Sequence, residues 1–195
     1  MMVSATLSQI VLDEFQKISQ DIVGIITSSL MITILPVISG AAGNAGSQSS
    51  TSIIRSLVIG DIKTKDYKKI FQKELLASAL IGLTLGIVNF LRLMIYYAAK
   101  GYLSDGNDIV DQGLTKFLHA KNIVIIVLSA AASIALFVVI ILAKVVGGML
   151  PLIAKKMKMD PAVMAAPLLT TLIDALSTLI FIGISISILY GAFIA

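Results

Sequence analysis

Four long apolar runs, separated by short polar punctuation, dominate the order of residues. Residues 22–54 carry no charge, 75–99 are broken only by Arg92, 123–143 are again uncharged, and 161–195 hold a single acid, Asp174. Each run reaches the length of about 20 residues that a helix needs to cross a hydrocarbon core, so each predicts a transmembrane helix. Ahead of them, MMVSATLSQIVL is apolar for too few residues to cross before Asp13 and Glu14 intervene. It has no basic leader and no A-x-A-like cleavage site, so residues 1–21 predict a short or interfacial N-terminal helix and 22–195 one membrane unit. The expected class is all-α, a polytopic transmembrane helix bundle of about five helices.

The first long run is unlike the others. Residues 36–51, PVISGAAGNAGSQSST, set glycines, amides and hydroxyls inside a membrane span. On a helix Gly40, Gly43, Ser47 and Thr51 share one stripe, with Asn44 and Gln48 one position round. Lipid does not tolerate such a stripe, so it should face protein or water. Two readings remain open: close helix packing through small residues, or a permeation lining in which carbonyl, amide and hydroxyl oxygens meet a hydrated cation. Pro36 removes a backbone donor and predicts a bend.

Charge between the runs gives orientation. The regions 55–73 and 144–158 hold ten Lys and Arg residues, whereas the connection on the other side holds four: Arg92, Lys100, Lys116 and Lys121. The two richer loops are expected to be cytoplasmic, in a multi-pass protein of the cell membrane. Glu74, at the edge of the second run, is expected at the membrane surface as a solvated or capping carboxylate. Arg92 is expected to snorkel to the opposite interface, with Tyr96 and Tyr97 in the aromatic belt. Asp105, Asp108 and Asp111 lie among glycines but lack the terminal glutamate of a calcium loop, so an exposed turn is the better reading, one that could form a weak cation-attracting vestibule.

Composition narrows the function. With 57% hydrophobic and only 13% charged residues and a mean hydropathy of +0.99, the chain is a membrane protein, and its basic surplus reports topology, not nucleic acid. Cysteine is absent and His119 is the one histidine, which removes thiolate zinc sites, a cysteine nucleophile and H-E-x-x-H hydrolase chemistry. No enzyme activity is expected. Asp174 lies about two turns beyond Pro167, shares a face with Ala166 and Thr170, and has Thr171 and Ser177 beside it. A charge at mid-membrane costs roughly 2.5–3.5 kcal/mol on insertion scales, so its default reading is functional. One carboxylate compensates a dication poorly, whereas two copies around a two-fold axis would match it.

GAAGNAGSQSSTSIIRSLVIGD resembles the signature of the MgtE family of magnesium channels and transporters, close to G-x-x-G-N-x-G-x-Q followed by an arginine and a basic loop. The resemblance continues through Lys73-Glu74, Gly147 to Pro151, Asp160-Pro161-Ala162, and Pro167 with Thr170, Thr171 and Asp174. It implies a homodimer of five-helix protomers in the lipid bilayer, with a pore at the interface. Asp174 would be the pore aspartate, and Gly43, Asn44, Ser47, Gln48, Thr51 and Thr170 would complete the metal path. The implied cargo is Mg2+, with Mn2+, Co2+, Ni2+ or Ca2+ as ions that oxygen ligands would also accept. Passive channel conduction is the leading expectation, and secondary transport coupled to H+ or Na+ the alternative. The resemblance does not extend to the family's regulatory cytosolic domain and tandem CBS modules, so closure through them is not expected from these residues. Ala165 and Ala166 stand where relatives often carry serine and glycine.

Overall fold

A computed structural model describes residues 25–100 and 121–193, plus Thr6, Gln9, Ile10, Asp13, Glu14 and Lys17; 25–29, 121–122, 163–168 and 193 are described by backbone alone. The described residues form four long helices: α1 (Ile25–Ile59), α2 (Tyr67–Ala99), α3 (Lys121–Lys156) and α4 (Pro161–Phe193). All four are long and apolar enough to cross a membrane. The N-terminal expectation falls largely outside the described residues, of which Thr6, Gln9, Ile10, Asp13, Glu14 and Lys17 are helical and exposed. Asp105, Asp108, Asp111, Lys116 and His119 lie outside them altogether.

At 1.5 Å per residue, helices of 33 to 36 residues run about 50 Å and overshoot a core of about 30 Å. The basic segments expected as loops are therefore mostly helix. Arg55 ends the apolar run but not α1, and Lys68, Lys69 and Lys73 already belong to α2. Only residues 60–66 connect the two helices, turning through Gly60 at φ +90° into a 3-10 turn, Thr64–Asp66. Asp66 Oδ2 accepts the Lys63 backbone N–H at 2.9 Å. α3 ends at Lys156, and Asp160 caps α4 by accepting the Ala162 N–H at 2.9 Å, with Pro161 at the first helical position.

α3 is the hub, packed against α1, α2 and α4, while α1 also meets α4. Its buried face is Ile125, Leu128, Ala132, Ala135, Leu136, Val139, Ile140 and Ala143. α2 shows how a bilayer reverses the usual sorting. It buries Glu74, Ser78, Gly82, Gly86 and Asn89 at near-helical intervals and exposes Leu76, Leu80, Leu83, Ile87, Leu91 and Ile95. Lipid accepts the large apolar side chains, so small and polar residues mark the helix contact. A Cβ on Gly82 would stand 3.1 Å from Phe137, and one on Gly86 3.2 Å from the Ser133 carbonyl.

One interface expectation, that for Tyr97, changes at this level. Tyr96 is exposed, but Tyr97 is 1% exposed and packs in the core, with its ring edge-on to Tyr96 at 5.4 Å. Arg92 is exposed, and its guanidinium reaches one turn back to donate to Asn89 Oδ1 at 3.0 Å, while Asn89 Nδ2 donates to Ser133 Oγ at 3.3 Å. This network ties α2 to α3.

Candidate ion-conduction site

The polar stripe of α1 faces outward from the protomer. Asn44, Ser47, Gln48 and Thr51 are exposed, as is Gly40, and Gly43 is half-buried. A Cβ on Gly40 or Gly43 would meet nothing within 4 Å, so neither glycine serves packing inside the protomer. Close packing falls instead to Gly46, about 60° round the helix from Gly43 and about 120° from Gly40. A Cβ there would stand 3.0 Å from the Ala143 carbonyl, and one on Gly147 would run into the Gly46 carbonyl. α1 and α3 thus cross glycine to glycine.

Asn44, Ser47, Gln48 and Thr51 line one open groove of about 600 Å³ together with Ser52 and Arg55. Ser52 and Arg55 were not anticipated as lining, although each sits four residues after a lining residue, Gln48 and Thr51, and so on the same face. Gly43, Thr170 and Asp174 are not among the groove's walls. Thr170 is half-buried on α4, and Asp174 is exposed one turn further along. The Asp174 carbonyl accepts Thr178 Oγ1 at 2.8 Å and Ser177 Oγ at 3.1 Å, which ties those two hydroxyls to the helix backbone.

Helix directions place these parts in depth. Gly46 pairs with Gly147 and Leu57 with Lys155, so α1 and α3 run parallel; the short turn after Lys156 makes α4 antiparallel to both. Leu169 of α4 lies 3.5 Å from where a Gly46 Cβ would be. Asp174, five residues on, is therefore about 7–8 Å from that level, roughly abreast of residues 40–42. From there to the basic end the outward faces offer, in turn, a carboxylate, glycine backbone, amides and hydroxyls, and finally the Arg55 guanidinium. Among the described residues no group of three or more His, Asp or Glu converges to hold a bare metal. A single acid with amide and hydroxyl oxygens suits an ion that keeps its water.

A family model described as divalent cation transporter, MgtE, matches residues 35–184. The chain belongs to the MgtE family. That family is one of transporters, not of enzymes. Relatives named magnesium transporter MgtE include those of Thermus thermophilus, 30% identical over 151 residues, Bacillus subtilis, 29% over 157, and Enterococcus faecalis, 27% over 158. These matches cover 77–81% of this chain but 28–29% of the relatives' own length. The MgtE match takes in the whole groove and Asp174.

The largest departure from expectation is Glu74. It is buried among helices, neither solvated nor capping one. Its Oε2 accepts Ser49 Oγ at 2.7 Å and lies 3.4 Å from Lys144 Nζ, with both charged side chains 10% exposed. Lys144, counted above with a basic loop, is thus buried within α3. Each residue alone reads as an interfacial charge, and only their meeting across helices reveals the pair.

Proposed function

We propose that this chain forms a pore for hydrated Mg2+ at the interface of two copies. The observation that carries the reading is the outward stripe: a protomer that turns amides, hydroxyls and an aspartate away from its own core requires water or a partner against them. Its relatives' name, magnesium transporter, supplies the cargo. Two Asp174 carboxylates attract the dication and hold it through its water shell. The Gly43 carbonyl, Thr170 and the side chains of Asn44, Ser47, Gln48 and Thr51 receive it beyond, and the ion leaves past Arg55 on the basic, cytoplasmic side. An inside-negative potential drives influx by about 2.3 kcal/mol per charge per 100 mV, doubled for a dication.

The test is Mg2+ influx into liposomes holding purified protein, read with an internal magnesium dye. Asp174→Asn removes both negative charges of the pair and should lower flux at least about 100-fold. An outer-shell carboxylate at about 4.5 Å contributes close to 2 kcal/mol toward a dication even in water-like dielectric, and there are two. Normal flux through the variant ends the site assignment. Flux that stops when H+ and Na+ gradients are collapsed would replace the channel by a coupled transporter.

A further inference from the structure

Glu74, Lys144 and Ser49 take no part in the path just described, yet they form the most completely buried charged cluster among the described residues. Glu74 Oε2 receives both the Ser49 hydroxyl at 2.7 Å and the Lys144 ammonium at 3.4 Å, which joins α1, α2 and α3 at one point. Gly148 makes room for the junction: a Cβ there would stand 2.9 Å from Glu74 Cγ and 3.0 Å from Ser49 Oγ. Two charges are taken out of water here, and ion pairs of this kind often add little net stability compared with apolar replacements. What such a pair does supply is geometry, because either charge left alone in that place is costly.

Ser49 is the next residue after Gln48 and two after Ser47. Successive residues on a helix are about 100° apart, so the direction of Ser49 fixes the direction of both lining residues. The apolar surface beside it is built largely of small residues and leaves part of that work to the polar junction. α1 meets α3 there through Gly46 and Gly147, which have no side chains to interlock, so near Ser49 the rotation of α1 rests on this polar junction together with the apolar contacts of Ala42, Ala45 and Ile53. We infer that Glu74 and Lys144 are positioning residues for the ion path, holding α1 by Ser49 at the rotation that turns Asn44, Ser47, Gln48 and Thr51 into the groove. The inference rests on reading that groove as part of the path. Loss of one partner leaves the other charge unpaired, and α1 rotates or tilts to bring water to it. The lining is then misdirected although every lining residue is intact.

Because the chain has no cysteine, single cysteines report that rotation directly. Ser47→Cys places a thiol in the groove and Ala45→Cys one on the buried side, about 200° away. In purified, monodisperse protein, a membrane-impermeant maleimide should label the Ser47→Cys variant much faster than the Ala45→Cys variant. Adding Glu74→Gln or Lys144→Met should lower the ratio of the two rates at least tenfold and reduce Mg2+ flux per folded molecule. The double variant Glu74→Gln with Lys144→Met strands no charge and keeps an amide oxygen for Ser49, so both readouts should return to within about threefold of the parent. The inference is overturned if the single variants leave the labelling ratio unchanged, whatever their flux or yield, or if the double variant is as disturbed as the singles. The labelling needs no transport, so it stands apart from the Asp174→Asn result that judges the conduction reading.

Discussion

Replacing Gly147 by alanine tests the closest helix approach in the fold. The added Cβ would lie 2.9 Å from Gly46 Cα and carbonyl carbon, and nearer still to the carbonyl oxygen, all rigid backbone. Carbon atoms in good contact are about 3.5–4.0 Å apart, so α1 and α3 must part by roughly 1 Å. Forcing a methyl group into a packed contact costs about 1–3 kcal/mol. A gap of that size also forfeits a quarter to a half of each neighbouring contact's dispersion energy. Alanine's better helix propensity returns about 0.5–1 kcal/mol, roughly offsetting that lost dispersion, so the net loss stays at about 1–3 kcal/mol. Equilibrium unfolding in mixed micelles, titrated with a denaturing detergent, should show this as a shift of roughly 5- to 150-fold toward the unfolded form. Gly183→Ala is the control, since a Cβ there meets nothing within 4 Å and should be neutral or slightly stabilising. A Gly147→Ala protein as stable as its parent would refute the glycine-to-glycine crossing.

Three further outcomes follow from local geometry. Arg55 stands in the groove wall with a fixed positive charge, so Arg55→Gln should raise Mg2+ flux in liposomes by a factor of about 2–5 at low salt, the gain shrinking as ionic strength rises; unchanged or lower flux would remove Arg55 from the path. Ser133→Ala takes away the acceptor of the Asn89 amide and should destabilise the α2–α3 contact by about 0.6 kcal/mol, at most about 1.7, in the same micellar unfolding assay. Lys158 caps α3 at φ +60°, with the Met159 N–H donating to the Ala154 carbonyl at 3.0 Å; Lys158→Gly should add about 0.5–1 kcal/mol of stability, and a loss would contradict that left-handed cap.

The spans were legible because the bilayer imposes length and apolarity on each helix independently of its neighbours. The outward stripe was legible for the same reason: Asn44, Ser47, Gln48 and Thr51 lie on one face by spacing alone, and Asp174 stands out in an apolar run. Helix ends were not, since basic residues such as Lys68, Lys69 and Lys73 continue a helix in water as readily as a loop. Nor was the division between Gly40 and Gly43, which face open space, and Gly46, which meets α3, because all three look equally suited to close packing. Tyr96 and Tyr97 are adjacent, yet one turns outward and the other into the core. Glu74 and Lys144 show the largest gap, because a tertiary ion pair leaves no mark in either local pattern.

That pair also has a bearing on biogenesis. Lys144 follows Glu74 by 70 residues, so at about 5–20 residues per second the ribosome makes the acid several seconds before its cation. The first hairpin is therefore made before the cation that Glu74 pairs with, and the junction of the three helices cannot close until the third arrives. Burial of Glu74 beside its cation is thus a late event, and nascent chains stalled between the two charges should remain bound to the insertion machinery.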